Sequence, residues 1–242
     1  MNVNKWVKTQ VQNTAAGALL SLEDFKLPLA KKIALEKALS ELYRAGGLQR
    51  ITKGLYYKPE QSPFGELPPT TRGLLDKLLL LYKDSIAYLT GLPAYTQMGL
   101  TTQVSTEYVI ASDKPRRMPI VSGGTRIRFI PSYVKTAVQD TYLLQILDAI
   151  REMENIPATT PEKSSVLLRL RIKELKRDQQ DELAQLALNY PPSCRAFVGL
   201  VLESLGKKRL AQTLAQTLNP SSRYRLKIDK DTFPNYRNWY IR

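Results

Sequence analysis

Histidine is absent from the chain, and cysteine occurs once, at Cys194. Without histidine there is no Ser-His-Asp or Cys-His machinery and no histidine-containing zinc site. A single cysteine excludes an internal disulfide and a four-cysteine metal site, and it fits a reducing compartment. Acidic residues are few: 22 Asp and Glu stand against 36 Lys and Arg, giving a formal charge of +14 and a pI near 9.8. That excess favours a polyanionic partner, most often nucleic acid. Long apolar runs are missing too. The longest, Leu78 to Tyr82, is far too short to span a bilayer. Met1 to Gln12 is polar and lacks the apolar core of a signal peptide. The expectation is a cytoplasmic protein with no membrane partner. Phosphate-cradling glycine loops of the Walker or G-x-G-x-x-G type do not occur. Carboxylate pairs occur at Glu23/Asp24, Asp181/Glu182 and Asp229/Asp231, each in a helix-start, surface or turn context. The last could hold Mg²⁺, but no further acidic ligand accompanies it. No catalytic residue, metal site or cofactor is therefore predicted, and the chain reads as a non-enzyme.

At 242 residues and 43% apolar content, the chain is long enough for two domains with real cores. The most informative stretch runs from Ser21 to Pro59. Leu35, Ala38, Leu39 and Leu42 fall on one face of a helix spanning about 30–45, with Glu36, Lys37, Ser40 and Arg44 on the other. Gly46 and Gly47 stop it. Two short strands follow, Leu48 to Ile51 and Leu55 to Lys58, turning through Thr52-Lys53-Gly54. Ahead of the helix, Ser21 caps a short turn to Phe25, whose Glu23 and Asp24 suit the positive end of a helix dipole. Residues 1 to about 16 form a supporting helix that buries Trp6, Val7 and Val11. Short helix, longer helix and basic hairpin in this order spell a winged helix-turn-helix, whose second helix enters the major groove by its N-terminal end. The candidate DNA-contacting residues are Ser21, Lys31, Lys32, Lys37, Arg44, Arg50 and Lys53. The same pattern also fits an amphipathic helix and hairpin of another small α+β domain, with lysines that only keep the surface soluble. Within residues 1–60 there are 10 bases and 5 acids, so the positive excess is present here but not confined here.

Pro59, Pro63, Pro68 and Pro69 predict a linker over 61–72, separating residues 1–60 from a larger mixed α/β domain at 73–242. That domain is expected to open with a core helix from Thr71 to Tyr82. Strands follow at Tyr108 to Ala111, Pro119 to Val121 and Arg126 to Ile130, with Gly123-Gly124 turning between the last two. Arg126 and Arg128 alternate with Ile127 and Phe129, which gives one basic and one apolar face. The end is helix-rich: Thr141 to Glu154, a long helix from Pro161 to Arg177 that continues or restarts to Asn189, then Arg195 to Leu205 and Lys207 to Leu218. From Glu162 to Arg177 six bases face two acids. This second basic patch is either a binding face or a solvated one. In the tail, Tyr224, Phe233, Tyr236, Trp239 and Tyr240 alternate with arginines, a pattern that fits base stacking or packing on its own domain.

Several segments resemble the AbiEi-type antitoxins of bacterial AbiE abortive-infection, or type IV toxin–antitoxin, systems. They are Phe25, Ala38-Leu39-Ser40-Glu41-Leu42 and the run from Gly46 to Pro59. Beyond the linker, Gly99 to Val104, Thr125 to Ile130, Tyr190 to Gly199, Leu218-Asn219-Pro220 and Tyr224-Arg225-Leu226 continue the likeness in order. Glu41 departs from it, since relatives often carry a base there. The resemblance implies a winged helix that binds inverted repeats in double-stranded DNA at its own promoter and represses the operon. It also implies a C-terminal antitoxin domain that counters a nucleotidyltransferase toxin without necessarily forming a stable complex. Arg126, Arg128, Arg169, Arg171, Lys173, Lys176 and Arg177 are then the candidates for antitoxicity. A DNA-binding regulator without antitoxin activity, and an RNA-binding protein using the basic helix and tail, are the alternatives.

Overall fold

The structure is a computed structural model and describes residues 2–242. It is a mixed α+β protein. Helix α1 (Val3–Asn13) is capped by Asn2, whose side chain accepts from the Lys5 amide. Strand β1 (Leu19–Ser21) leads into a one-turn 3₁₀ helix, Leu22–Phe25, and a second follows at Leu29–Lys31. Helix α2 (Lys32–Arg44) precedes the hairpin of β2 (Gln49–Thr52) and β3 (Leu55–Tyr57). Next come β4 (Glu60–Ser62), β5 (Gly65–Leu67) and helix α3 (Thr71–Leu80). Strand β6 (Ala87–Thr90), helix α4 (Leu92–Gln97), β7 (Glu107–Ser112), β8 (Ile120–Ser122) and β9 (Thr125–Pro131) follow. The remainder is helical: α5 (Thr141–Arg151), α6 (Pro161–Glu174), α7 (Arg177–Ala187), α8 (Pro192–Ser204) and α9 (Lys208–Ala215), with a final 3₁₀ turn at Tyr236–Trp239.

These elements form two units. One comprises the chain up to Lys83 together with Met118–Arg128; the other comprises Asp84–Arg117 and Phe129–Arg242. In the first unit, β1, β3 and β2 make an antiparallel sheet in that order, with Leu20 opposite Tyr56 and Arg50 opposite Tyr56 on the other side. The register slips between Arg50 and Thr52, leaving Ile51 as a bulge just before the turn, and Gly54 holds the turn at φ +82°. Helices α1 and α2 pack together over this sheet. Val7, Val11, Phe25, Leu35, Ala38, Leu39 and Leu48 form their common core, as the helical spacing predicts.

The proline-rich stretch differs from its expected role as a linker. Its prolines bracket two strands instead of preventing them: β4 and β5 pair with Glu60 opposite Leu67, and Pro63-Phe64 makes the turn. Gln49 in β2 donates to Glu66 in β5 at 2.9 Å. Helix α3, expected to open the second domain, instead belongs to the first unit and lies against β1. The β8–β9 hairpin joins the same unit through sequence-distant contacts. Strand β8 lies beside β2, Thr71 and Thr125 share a 2.6 Å hydroxyl contact, and a Cβ on Gly123 would strike Pro68. The boundary thus falls after Lys83, and residues 1–60 are only part of the first unit.

The core of the second unit is built from α5, α7 and α8. Leu143, Leu147, Leu183, Phe197 and Leu200 are fully buried in it. The expected long helix from Pro161 breaks at Leu175, where the backbone turns extended, and α7 restarts at Arg177. Gln179 accepts from the Lys176 amide and caps the restart. The tail folds back onto its own unit. Phe233 and Trp239 are buried, Tyr224 pairs with Ile241, and Trp239 donates to Glu203 at 2.9 Å. Phe233 and Trp239 are therefore core residues, while Tyr224, Tyr236 and Tyr240 are only partly buried.

Candidate nucleic-acid interface

Helix α2 presents two distinct faces because its apolar residues recur at helical spacing. Leu35, Ala38 and Leu39 point inward, while Lys32, Ile33, Lys37 and Arg44 are exposed. Ile33, Lys37 and Arg44 are spaced four and seven residues apart, so they form one stripe. Ile33 is 82% exposed, and Leu29, one turn earlier, is 83% exposed. Two aliphatic side chains open to solvent beside lysines serve no core. Sequence reasoning missed both; the available signal was their position opposite the buried face. No side chain caps the start of α2, and no acid sits in its first turn. The Lys31 and Lys32 amides donate to the Pro28 and Leu29 carbonyls of the preceding 3₁₀ turn.

The other candidates in this unit divide. Lys31 is half-buried; Arg50 and Lys53 are exposed on the β2–β3 hairpin. Among the described residues, none of Lys31, Lys32, Lys37, Arg44, Arg50 and Lys53 makes a side-chain hydrogen bond or ion pair. Ser21 does not fit a contact role. It is 2% exposed, and both its amide and its hydroxyl donate to Asp24, at 2.6 and 2.8 Å. It closes the 22–25 turn. Glu41, the departure from the antitoxin pattern, accepts from Asn4 at 2.6 Å and so ties α2 to α1. Arg126 and Arg128 lie exposed on β9 within the first unit.

Of the candidates in the second unit, Arg169 donates to Ser204 at 3.2 Å. Arg171 donates to the Met98 carbonyl at 3.0 Å and pairs with Glu174 at 2.9 Å. These two arginines fasten α6 to its surroundings. Lys173, Lys176 and Arg177 are exposed. The structure thus separates the expected antitoxicity set: two residues in the first unit, two arginines engaged in packing, and three exposed near the α6–α7 break.

A buried polar cluster in the second unit escaped the sequence reading. Asp148 on α5 accepts from Thr90 at 2.8 Å, Tyr88 at 2.9 Å and Tyr190 at 3.0 Å. All four residues are 2–3% exposed. Burial pushes the Asp148 carboxyl above its ordinary range against the pull of its three donors, and burial likewise raises both tyrosines. The cluster holds β6, α5 and the α7–α8 connection together. The signal was a carboxylate on the apolar face of α5, one turn from Leu144. Among the described residues, no group of three or more His, Cys, Asp or Glu is placed to hold a metal ion, and no helix is long and apolar enough to cross a membrane.

The sequence pattern of DUF6088, a family of unknown function, matches residues 6–180. The chain belongs to the DUF6088 family. The match runs from within α1 to the start of α7, so the α2 stripe, the hairpin and Tyr88, Thr90 and Asp148 lie within the DUF6088 region, while Tyr190 lies beyond it. No curated protein matches the chain. Among solved structures, the RV2827C protein from Mycobacterium tuberculosis is similar at a TM-score of 0.38 and 18% identity, over 91% of this chain and 83% of that one. A likeness that low carries no argument about this DUF6088 member.

Proposed function

We propose that this DUF6088 protein is a DNA-binding autorepressor and antitoxin of a type IV, phage-defence toxin–antitoxin operon. One observation carries the DNA half: the exposed, unpartnered stripe of Ile33, Lys37 and Arg44, with Lys32 exposed at the helix start, on a helix followed directly by a basic antiparallel hairpin. In this reading α1, the 22–25 turn, α2 and the β2–β3 hairpin work as a winged helix. The first half of α2 enters the major groove. Lys32 and Lys37 reach guanine edges or phosphates, and Ile33 meets a thymine methyl. Arg50 and Lys53 on the wing bind phosphates.

The antitoxin half rests on the sequence resemblance to AbiEi-type antitoxins. Its partner is a nucleotidyltransferase toxin, countered in the cytoplasm without catalysis by this chain. Lys173, Lys176 and Arg177 are the exposed candidates for that role; Arg169 and Arg171 act by holding α6 in place.

The test uses fluorescence anisotropy with the chain's own promoter duplex and a scrambled duplex over a salt series. The whole chain carrying Lys32→Ala and Lys37→Ala should lose at least about tenfold in promoter affinity. Its salt slope should fall by about two units if both lysines contact phosphates. Lys173→Ala with Lys176→Ala should change neither. The first pair should still rescue cells from the toxin while failing to repress. Equal loss of promoter binding in both pairs overturns the assignment of α2 as the DNA reader.

A further inference from the structure

The β4–β5 hairpin is a segment of the first unit that its own fold does not explain. A two-stranded hairpin is marginal in water unless it packs against something. Here every residue of β4 and β5 except Ser62 is exposed, so neither face is buried. The tip is nevertheless braced. The Ser62 hydroxyl accepts from the Phe64 amide at 3.2 Å and donates to the Gly65 carbonyl at 2.8 Å, and Gly65 takes φ +108°. Phe64 stands at this tip 100% exposed. A phenyl ring left wholly in water is unfavourable, so folding alone would favour a polar residue at this position.

The same unit contains a groove of about 540 Å³ beside α1. Trp6, Leu20, Phe25 and Leu27 give it an apolar lining, and Gln10 and Lys26 line it as exposed residues. Trp6 and Phe25 meet edge to face with ring centroids 6.1 Å apart, so a third ring seated there joins an aromatic cluster. The charges are complementary too. Residues 60–67 carry Glu60 and Glu66 and no base, in a chain of net charge +14. Those two acids disfavour a nucleic acid as the partner of the hairpin. Lys26 lines the groove and, among the described residues, makes no side-chain hydrogen bond or ion pair. The opposing charge in the groove, Asp24, is already held by Lys77 at 2.6 Å.

We propose that the groove is filled by a second copy of this chain: Phe64 of each copy seats against Trp6 and Phe25 of the other. Phe64 is fully exposed in its own chain, so it does not occupy its own groove. A projection and a groove carried by the same chain are self-complementary, and reciprocal insertion closes as a two-fold dimer. Lys26 of each copy then faces the acidic hairpin of the other. Each ring removes about 150–250 Å² from water, so two rings supply only part of the roughly 1,200 Å² of a stable interface. The association is therefore reversible and of micromolar strength. It does not rest on the DNA reading above, although a two-fold pair presents two α2 helices, as two half-sites related by a dyad would use.

Sedimentation equilibrium on the full chain without DNA tests this, with every variant checked for folding by circular dichroism. Wild type should pass from monomer to dimer with a Kd below about 200 μM. Phe64→Ser, at a fully exposed position, should raise that Kd by about tenfold or more. Gln10→Trp fills the groove from an exposed position on α1 and leaves Phe64 in place; it should have the same effect. Lys26→Glu should weaken the dimer by about threefold or more, and less so at high salt. Val104→Ser removes an equally prominent side chain, 90% exposed in the second unit, and should change nothing. The proposal is overturned if wild type stays monomeric to about 200 μM, if assembly grows beyond the dimer, or if Phe64→Ser or Lys26→Glu associates as tightly as wild type. It is also overturned if Phe64→Ser abolishes association while Gln10→Trp preserves it, which would place the receiving surface elsewhere. None of these outcomes alters promoter binding by α2, which the anisotropy assay reads separately.

Discussion

Lys77 Nζ on α3 lies 2.6 Å from both carboxylate oxygens of Asp24 in the 22–25 turn. The contact joins residues 53 apart in sequence and fastens α3 to the unit that contains α2. Lys77 is largely covered, with 12% of its side chain exposed against 35% for Asp24. Burial raises the Asp24 carboxyl, but the Lys77 ammonium and the Ser21 donors outweigh it and hold the carboxyl below its ordinary value. A depressed carboxyl contributes stability above its unfolded pKa of about 3.9 and loses it as pH falls through the folded value. Lys77→Met should therefore lower the thermal midpoint at neutral pH by a few degrees at most, for a pair worth about 1 kcal/mol or less. The gap between wild type and variant should close below about pH 4. A gap that stays constant down to pH 2 would show that the ion pair is not its source.

The same contact bears on where the first unit ends. Leu74, Leu75 and Leu78 of α3 are buried, and α3 lies against β1. A fragment ending at Glu60 should melt at a lower temperature than one ending at Lys83, followed by circular dichroism at equal concentration. Equal midpoints would restore residues 1–60 as a self-sufficient domain.

Ile33 separates recognition from stability. At 82% exposure it contributes almost nothing to the core. Ile33→Ser should shift stability by less than about 0.5 kcal/mol. It should cost about 1–3 kcal/mol in discrimination between the promoter and a scrambled duplex if the side chain meets a thymine methyl. The salt slope should not change, because no charge is removed. An unchanged affinity ratio would remove Ile33 from the contact surface.

Asp148 offers a stability test of the second unit. Asp148→Asn keeps the shape but gives an amide that cannot accept all three donors. Its cost should be about 1–3 kcal/mol in denaturant unfolding. The wild-type carboxyl is raised in the folded state, so the folded form holds its proton to higher pH than the unfolded chain. The contribution of this group to stability therefore decreases as pH rises from the unfolded value of about 3.9 through the raised folded value. The asparagine variant should lack that component, and the difference between the two pH–stability curves measures it.

Gly199 tests the seat of the tail. It lies inside α8, where alanine would ordinarily be favoured by about 1 kcal/mol. Here a Cβ would fall within the Trp239 ring. Gly199→Ala should destabilise by about 1–3 kcal/mol through overpacking. In a Trp239→Phe background, where the outer ring is removed, the same change should cost less. An equal cost in both backgrounds would show that the Trp239 contact is not the cause.

What the sequence alone determined was local. Leu35, Ala38 and Leu39 at helical spacing specified the buried face of α2. Gly54 specified the β2–β3 turn, and Gly123-Gly124 the β8–β9 turn. Each follows from backbone geometry over a few residues, so no distant partner is needed to read it. The exposed lysines of α2 were legible for the same reason, as the complement of its apolar face. The tertiary structure alone decided which elements share a unit. Helix α3 reads as a core helix in any context, and only β1 and Asp24 assign it to the first unit. The prolines between Pro59 and Pro69 forbid strand positions one by one, yet the spaces between them suffice for β4 and β5. Ser21 looked available until strand pairing and Asp24 covered it. Asp148 found its donors 58 to 60 residues upstream and 42 downstream. Trp6 and Phe25 share one groove although they belong to different elements. Periodicity specifies which face of an element is apolar, but not what covers it, because covering is a contact between residues distant along the chain.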